Sequence, residues 1–285
     1  MADLDDDPLP PLRDIIHRYD LWADKSLGQN FILDLNVTRR IARSANITPQ
    51  SHIIEIGPGP GGLTRALLME GAGKVTVIER DRRFQEPLEE IAAHYAPRLE
   101  IIFADALEVS LHEVTQGPYQ IVANLPYNLA TPLLLGWLKQ DPIGWQNLTL
   151  MFQKEVGERI CATTGDKHYG RLGVISNFVA QTDILFDVKP EVFVPPPKVT
   201  SAIVQLTPRP KRISDVALDK LEIVTQAAFG QRRKMLRASL KQLTPEPQNW
   251  LTQAGIDETL RAENLTIEQF CALAETLPKN LKAGA

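Results

Sequence analysis

Only two cysteines, Cys161 and Cys271, occur in the 285 residues, too few for a disulfide framework or a cysteine-rich zinc site. The five histidines fall in no HExxH or comparable ligand spacing, so no metal is expected. Long apolar runs are missing as well. The best candidate, Leu129–Leu138, is broken by Pro132 and Gly136 and falls short of the roughly 18 residues that a membrane span needs. The opening residues carry Asp3, Asp5, Asp6 and Asp7, the reverse of a basic secretory signal. Positive charge is not in excess: a net charge of −4 excludes a uniformly adhesive nucleic-acid binder but leaves room for a local basic face. No internal repeat is apparent. These absences lead us to expect a cytoplasmic monomer that keeps its thiols reduced and has no membrane segment.

What is present is an ordinary globular composition, 44% hydrophobic and 23% charged, long enough for one sizeable core and a smaller domain. Residues 1–11 are acidic and proline-rich, and a flexible tail is expected there. Asp34 can cap a helix carrying Val37, Ile41, Ala42 and Ala45 on one side. Short apolar runs then alternate with helical stretches: His52–Ile56, Lys74–Ile78, Leu99–Phe103, Tyr119–Ala123 and Leu148–Phe152. That rhythm predicts an α/β domain over 12–207, a mostly parallel twisted sheet with helices on both faces. Ile184–Val188 and Ser201–Leu206 would complete the sheet as an antiparallel edge, with the irregular VPPPK between them. After Leu206 the segment TPRPKR reads as a linker. Leu218, Leu221, Val224, Phe229, Leu236, Leu240 and Leu243 then follow a helical period, predicting a small helical domain over 208–285. Met235 and Trp250 are expected in its core, and Trp137 and Trp145 near the sheet.

The stretch HIIEIGPGPGGLTRALL follows a strand and opens a helix, and Gly57, Gly59 and Gly62 match a GxGxxG pattern. Alone this is a weak signal for a dinucleotide. Pro58 and Pro60 remove backbone donors that a pyrophosphate would need, and Glu55 is expected to place negative charge beside the loop. A cationic ligand without phosphate suits these features better, and S-adenosylmethionine carries a sulfonium and an ammonium. Glu79, at the next strand end, can accept from the ribose hydroxyls, and Asp105, after the third strand, from the adenine amino group. A dinucleotide remains the less favoured alternative.

The fourth strand ends in Asn124-Leu125-Pro126-Tyr127. Pro126 keeps Leu125 out of the helical region and so aims its carbonyl outward. The Asn124 side-chain oxygen and the Leu125 carbonyl make two acceptors for the two hydrogens of an exocyclic amine. Held in this way, the amine nitrogen can direct its lone pair at a sulfonium methyl, with Tyr127 stacking on the base. Asn-x-Pro by itself more often only ends a strand; the tyrosine and the upstream acids favour the functional reading.

The segments KSLGQNFILD (25–34), EIGPGPGGLT, VANLPYN, FVPPPKVTSAIV (193–204) and FGQRRKMLRASL (229–240), in this order, resemble the ribosomal RNA adenine dimethyltransferases, and most of all their bacterial small-subunit branch, associated with kasugamycin resistance. The resemblance covers nearly the whole chain beyond the acidic residues. It implies a Rossmann-like methyltransferase fold and S-adenosyl-L-methionine as cofactor. It also implies dimethylation of N6 on two adjacent adenines in the 3′-terminal hairpin of 16S rRNA, within an immature 30S subunit. On the same basis Asn30 and Ile32 contact the methionine end of the cofactor, and Gly57, Glu79, Asp105 and Asn124 complete the cofactor site. Phe193 is implied to stack on the target base opposite Tyr127. The chain departs from the family pattern at Asp24, where a basic residue is common, at Gly62, where alanine is usual and glycine should be harmless, and in its acidic balance.

Arg232, Arg233, Lys234, Arg237 and Lys241 form the densest basic cluster of the second domain. At helical spacing Arg233, Arg237 and Lys241 predict one stripe beside the apolar one, read here as an rRNA-backbone contact. His168 and Tyr169, in a glycine-flanked loop, are open to either an RNA-facing or a structural role. Two rivals stand beside this reading: a 23S rRNA methyltransferase of the macrolide-resistance type, and a non-catalytic binding protein of the same fold.

Overall fold

The computed structural model describes residues 7, 9–23 and 28–278; Asp24 and Lys25, singled out above, lie outside them. The chain divides into two compact units, Met1–Gly157 with Asp183–Pro208, and Glu158–Thr182 with Arg209–Ala285.

In the first unit, β1 (Phe31–Ile32) and α2 (Leu35–Ser44) follow α1 (Leu12–Arg18). Asp34 caps α2 as its sequence position suggests, its carboxylate accepting from the Asn36 N–H at 2.8 Å. Then come β2 (His52–Ile56), α3 (Gly62–Met69), β3 (Lys74–Glu79), α4 (Gln85–His94), β4 (Leu99–Phe103), α5 (Leu111–Val114), β5 (Tyr119–Ala123), α6 (Tyr127–Leu138) and β6 (Trp145–Gln153). After α7 (Lys154–Cys161) and α8 (Arg171–Val179), the strands β7 (Ala180–Val188), β8 (Phe193–Val194) and β9 (Ser201–Pro208) complete the order.

The main sheet runs β4-β3-β2-β5-β6-β9-β7. β4 through β6 pair in parallel, and β9 is antiparallel to β6. The expected strands are therefore all present, and the last two do form the antiparallel margin. Ile53, Ile54, Val75, Val77, Ile121 and Val122 are buried, which is why the central strands read as continuous apolar runs instead of alternating ones. The chain steps outward from β2 to β3 and β4, then returns to place β5 on the other side of β2. That reversal opens a crevice at the carboxyl ends of β2 and β5, where ligands bind in open α/β sheets. Separately, β1 and β8 form a two-stranded antiparallel ribbon.

The expected flexible tail is only partly comparable. Asp7, Leu9 and Pro10 are hydrogen-bonded to the Arg65 side chain, because that buried guanidinium requires acceptors; residues 1–6 and 8 lie outside the description.

The second unit resumes after Pro208, where the sequence changes texture, but it also draws in Glu158–Thr182, which the sequence reading kept with the sheet. The reason is α8. Its residues from Gly173 to Phe178 are buried, and a helix apolar on most sides must be enclosed by others. It packs on α9 (Leu218–Gly230) and α12 (Ile267–Glu275), with α10 (Leu236–Ser239) and α11 (Pro247–Gln253) completing the unit. Trp250 is buried here, and Trp137 and Trp145 are buried in the first unit. Met235, expected in the core, is instead 41% exposed. Tyr169 is fully buried, its hydroxyl donating to the Leu265 carbonyl at 3.0 Å, so of the two loop residues this one is structural. Among the described residues no helix is long and apolar enough to cross a membrane.

Candidate active site at the carboxyl edge of the sheet

A cavity of about 630 Å³ opens at the switch point of the first unit, within the range of small-molecule sites. Successive strand ends furnish its walls. β2 runs into Gly57, Gly59 and Gly61, all with positive φ (67°, 55° and 90°). Gly61 begins α3 in the left-handed region, and a Cβ there would collide with Ile91. The N–H groups of this loop are consumed internally: Gly57 donates to the Ile78 carbonyl at 2.9 Å, Gly61 to the Pro58 carbonyl at 3.0 Å, and Gly59 to Glu79 Oε2 at 3.0 Å. With proline at 58 and 60, the loop from 57 to 61 keeps no free donor to cradle a diphosphate. Gly62 is more than tolerated at the helix start. A Cβ there would lie 3.0 Å from the Ile32 carbonyl and 2.9 Å from Leu12 Cδ2.

Glu79 closes β3 with its side chain buried. Besides Gly59, it accepts from the Asp81 N–H at 2.8 Å, and the Arg80 N–H also acts on the carboxylate. Burial raises its pKa, and the backbone donors act against that rise. Asp105, after β4, accepts from the Leu107 N–H at 3.0 Å and pairs with Arg80 at 3.2 Å.

Glu55 departs from expectation. It lines the cavity but is 1% exposed, accepts from Thr64 Oγ1 at 2.6 Å, and has its pKa pushed up to about 8 by burial. It therefore stands mainly protonated at neutral pH and does not supply the negative charge read from the sequence.

β5 delivers Asn124 to the same cavity. Its Nδ2 donates to the Asn30 carbonyl at 3.2 Å, and Asn30 Nδ2 donates in turn to the Gly28 carbonyl at 3.2 Å. Pro126 precedes α6 with an extended ψ of 131°, and Tyr127, the first helical residue, shares a 2.7 Å hydrogen bond with Ser201 Oγ. Burial pushes its phenol pKa up. Asn30, Ile32, Gly57, Glu79, Asp105, Asn124, Leu125, Pro126 and Tyr127 all border this one cavity.

Phe193 does not. It pairs with Ile32 across the β1–β8 ribbon and is 2% exposed, while its neighbour Val194 faces outward. Strand alternation sends one of the pair inward, and here that is Phe193, into the core of the first unit. It is therefore not among the residues that face the cavity beside Tyr127. Leu12, Arg80 and Arg82 also border the cavity and were missed. A signal existed for Arg80, since the residue after a ligand-facing acid at a strand end must lie on the cavity rim. None existed for Leu12, far away in sequence.

In the second unit the expected basic stripe is absent. α9 ends at Gly230, and residues 231–234 form a turn and bend. A helix resumes only at Leu236–Ser239, followed by a 3-10 turn over Leu240–Gln242, so Arg233 is not on the helix of Arg237 and Lys241. Met235 instead bridges Arg261 in an extended conformation. Gly230 and the polar run after it offer no apolar face to bury, so the helix does not continue. Arg232 donates to the Lys167 and Tyr169 carbonyls at 2.9 and 3.1 Å and pairs with Glu263 at 3.7 Å; Arg237 pairs with Glu258 at 2.9 Å. Arg233 and Lys234 are exposed and make no ion pair among the described residues; Lys241 is exposed on the turn after α10.

Comparison with known proteins bears on the whole chain. The sequence pattern of a family described as ribosomal RNA adenine dimethylase matches residues 22–279. A Rhizobium johnstonii protein named ribosomal RNA small subunit methyltransferase A is 57% identical over 274 residues, 95% of this chain and 98% of that one. A protein of the same name from Rhodopseudomonas palustris is 55% identical over 280 residues, 97% and 96% of the two chains. Among solved structures, a dimethyladenosine transferase from Plasmodium falciparum gives a TM-score of 0.69 at 27% identity, covering 84% of this chain and 94% of its own. The 23S rRNA methyltransferase ErmE gives 0.67 at 29%, covering 87% and 99%.

Proposed function

This chain belongs to the ribosomal RNA adenine dimethylase family, and we propose that it transfers methyl groups from S-adenosylmethionine to N6 of two adjacent adenines in the 3′-terminal hairpin of 16S rRNA. The substrate would be an immature 30S subunit in the cytoplasm, met by the enzyme as a monomer. One observation carries the chemistry: the hydrogen bond from Asn124 Nδ2 to the Asn30 carbonyl, which commits the other end of the amide, Oδ1, to accepting.

The residues present fit the donor. The glycine loop offers no phosphate cradle, Glu79 accepts from the ribose hydroxyls, and Asp105 accepts from the adenine amino group. Asn30 and Ile32 hold the methionine end. When bound, the donor supplies an electrophilic methyl group on a cationic sulfur.

Asn124 Oδ1 accepts one hydrogen of the target N6 amine, and the Leu125 carbonyl, held extended by Pro126, accepts the other. Gripped at both hydrogens, the nitrogen pyramidalises and directs its lone pair along the line of transfer. Tyr127 stacks on the unstacked base. A carbon–nitrogen bond forms as the carbon–sulfur bond breaks, and the nitrogen then loses one proton to water. No general base is required, and an amide could not serve as one; rate comes from positioning. For the second transfer the nitrogen has one hydrogen left, so one of the two acceptors holds it while the first methyl group takes the place of the other hydrogen. The carbon–nitrogen bond again forms as the carbon–sulfur bond breaks, and the last proton leaves to water.

Fold likeness does not separate small- from large-subunit targets, because ErmE superposes nearly as well as the dimethyladenosine transferase. The 57% identity across 98% of a small-subunit relative supports the small subunit. Incubation with labelled donor and each immature subunit tests this: label in 16S rRNA is expected, and label confined to 23S rRNA would overturn it.

A further inference from the structure

The chemistry above gives no role to Arg65, one turn into the helix that carries the glycine loop. Its side chain is only 5% exposed. Its acceptors come from a short stretch ahead of α1: Nη1 donates to the Pro10 carbonyl at 2.7 Å, and Nη2 donates to the Leu9 carbonyl at 3.0 Å and pairs with the Asp7 carboxylate. Asp7 also accepts from the Leu9 N–H at 3.1 Å, so the stretch is folded around the guanidinium. A charge taken out of water is tolerated only when paired and hydrogen-bonded, and here Asp7, Leu9 and Pro10 supply partners to both Nη atoms, while the buried Nε has none.

The stretch reaches the donor cavity. Leu12, at its end, lines that cavity and packs on Gly62, which lacks a side chain where Leu12 sits. Leu9 and Pro10 border a small crevice together with Pro60 of the glycine loop, and Arg65 borders it too. Leu12 thus forms part of the chamber wall, and just ahead of it Asp7, Leu9 and Pro10 are tied to the glycine-loop helix through the Arg65 side chain.

We propose that Asp7 and Arg65 form a clasp that holds Leu12 in the wall of the donor chamber, so that affinity for S-adenosylmethionine depends on the clasp. The inference rests on reading that chamber as the donor site. Both are positioning residues; neither touches reacting atoms.

The test is calorimetric binding of S-adenosylmethionine and S-adenosylhomocysteine, with steady-state methyl transfer to 30S particles, for the full chain, Asp7→Ala, Asp7→Glu and a chain lacking residues 1–10. Asp7→Ala and the shortened chain are expected to raise Kd and KM for the donor about tenfold, a typical coupling between a site and an adjoining segment. Their kcat should stay within about twofold, and Asp7→Glu should recover most of the loss. In the full chain, S-adenosylhomocysteine should slow hydrogen exchange across residues 9–16. If Asp7→Ala is too unstable to assay, Asp7→Asn, which keeps an acceptor but no charge, should give a smaller rise in KM. Unchanged donor affinity in every soluble variant, or a fall in kcat at constant KM, overturns the clasp alone. Failure of the full chain to bind the donor overturns the donor reading with it.

Discussion

The side-chain nitrogen of Asn124 donates to the main-chain carbonyl of Asn30, 3.2 Å away, joining the residue after β5 to the approach to β1. A carbonyl oxygen only accepts, so the orientation of the amide is not a matter of choice. Asn124→Ala removes both ends and should lower methyl transfer by about 10²-fold or more, the cost of losing a preorganised polar group at a reacting centre, while donor affinity falls far less. Asn124→Asp sets an acceptor against the Asn30 carbonyl and should be as damaging. Labelled-methyl transfer beside calorimetric donor binding separates the two effects; near-normal transfer by either variant contradicts the mechanism.

Tyr127 offers two groups that substitution can separate. Its hydroxyl is already engaged with Ser201 Oγ at 2.7 Å, so the stacking face is the part left for a base. Tyr127→Phe should retain most activity, whereas Tyr127→Ala should lose about 1–3 kcal/mol of substrate binding, read as a higher KM for 30S particles. Equal losses in both variants would point to the hydroxyl instead.

Glu55 gives the fold a pH signature. Its pKa is pushed up to about 8 by burial, against an unfolded value of about 4.3. Between those values the folded protein holds a proton that the unfolded chain has released. Stability conferred at low pH is therefore lost as pH rises through the window, by roughly 1.4 kcal/mol per unit. Glu55→Gln keeps an acceptor for Thr64 and cannot ionise. Urea midpoints for the two proteins should agree near pH 5 and separate toward pH 8, with the variant the more stable. Parallel profiles would show that Glu55 ionises freely in the folded state.

The strand pattern was legible because the central parallel strands, buried on both sides, must read as short apolar runs, and the acids and amide followed because strand ends share one edge. Legibility failed where a residue's state depends on partners distant in sequence. Glu55 reads as a charge until the burial of β2 is known. Phe193 reads as a stacking face until its pairing with Ile32 turns it inward. Arg65 has no sequence signal for burial, because its partners Asp7, Leu9 and Pro10 lie more than fifty residues away. The basic stripe failed for a local reason that could have been weighed, since Gly230 followed by a run of exposed polar residues gives a helix nothing to bury.

That broken helix changes which cations are available to RNA. Arg232 is committed to the carbonyls of Lys167 and Tyr169 and to Glu263, and Arg237 to Glu258. Arg233 and Lys234, on the exposed turn, have no such pairing among the described residues. If this turn grips the rRNA backbone, Arg233→Ala and Lys234→Ala should each reduce the slope of log Kd against log salt by about 0.7–0.9, measured on 30S particles. Arg232→Ala should chiefly lower the unfolding midpoint, because it strips the Lys167 and Tyr169 carbonyls of a donor, and leave the slope nearly unchanged. Arg237→Ala falls between, because losing the cation also frees Glu258 to repel phosphate. Identical slopes for Arg233→Ala, Lys234→Ala and the unaltered chain would remove this turn from the RNA-binding surface, and a slope change confined to Arg232→Ala would reverse the assignment of structural and RNA-binding roles.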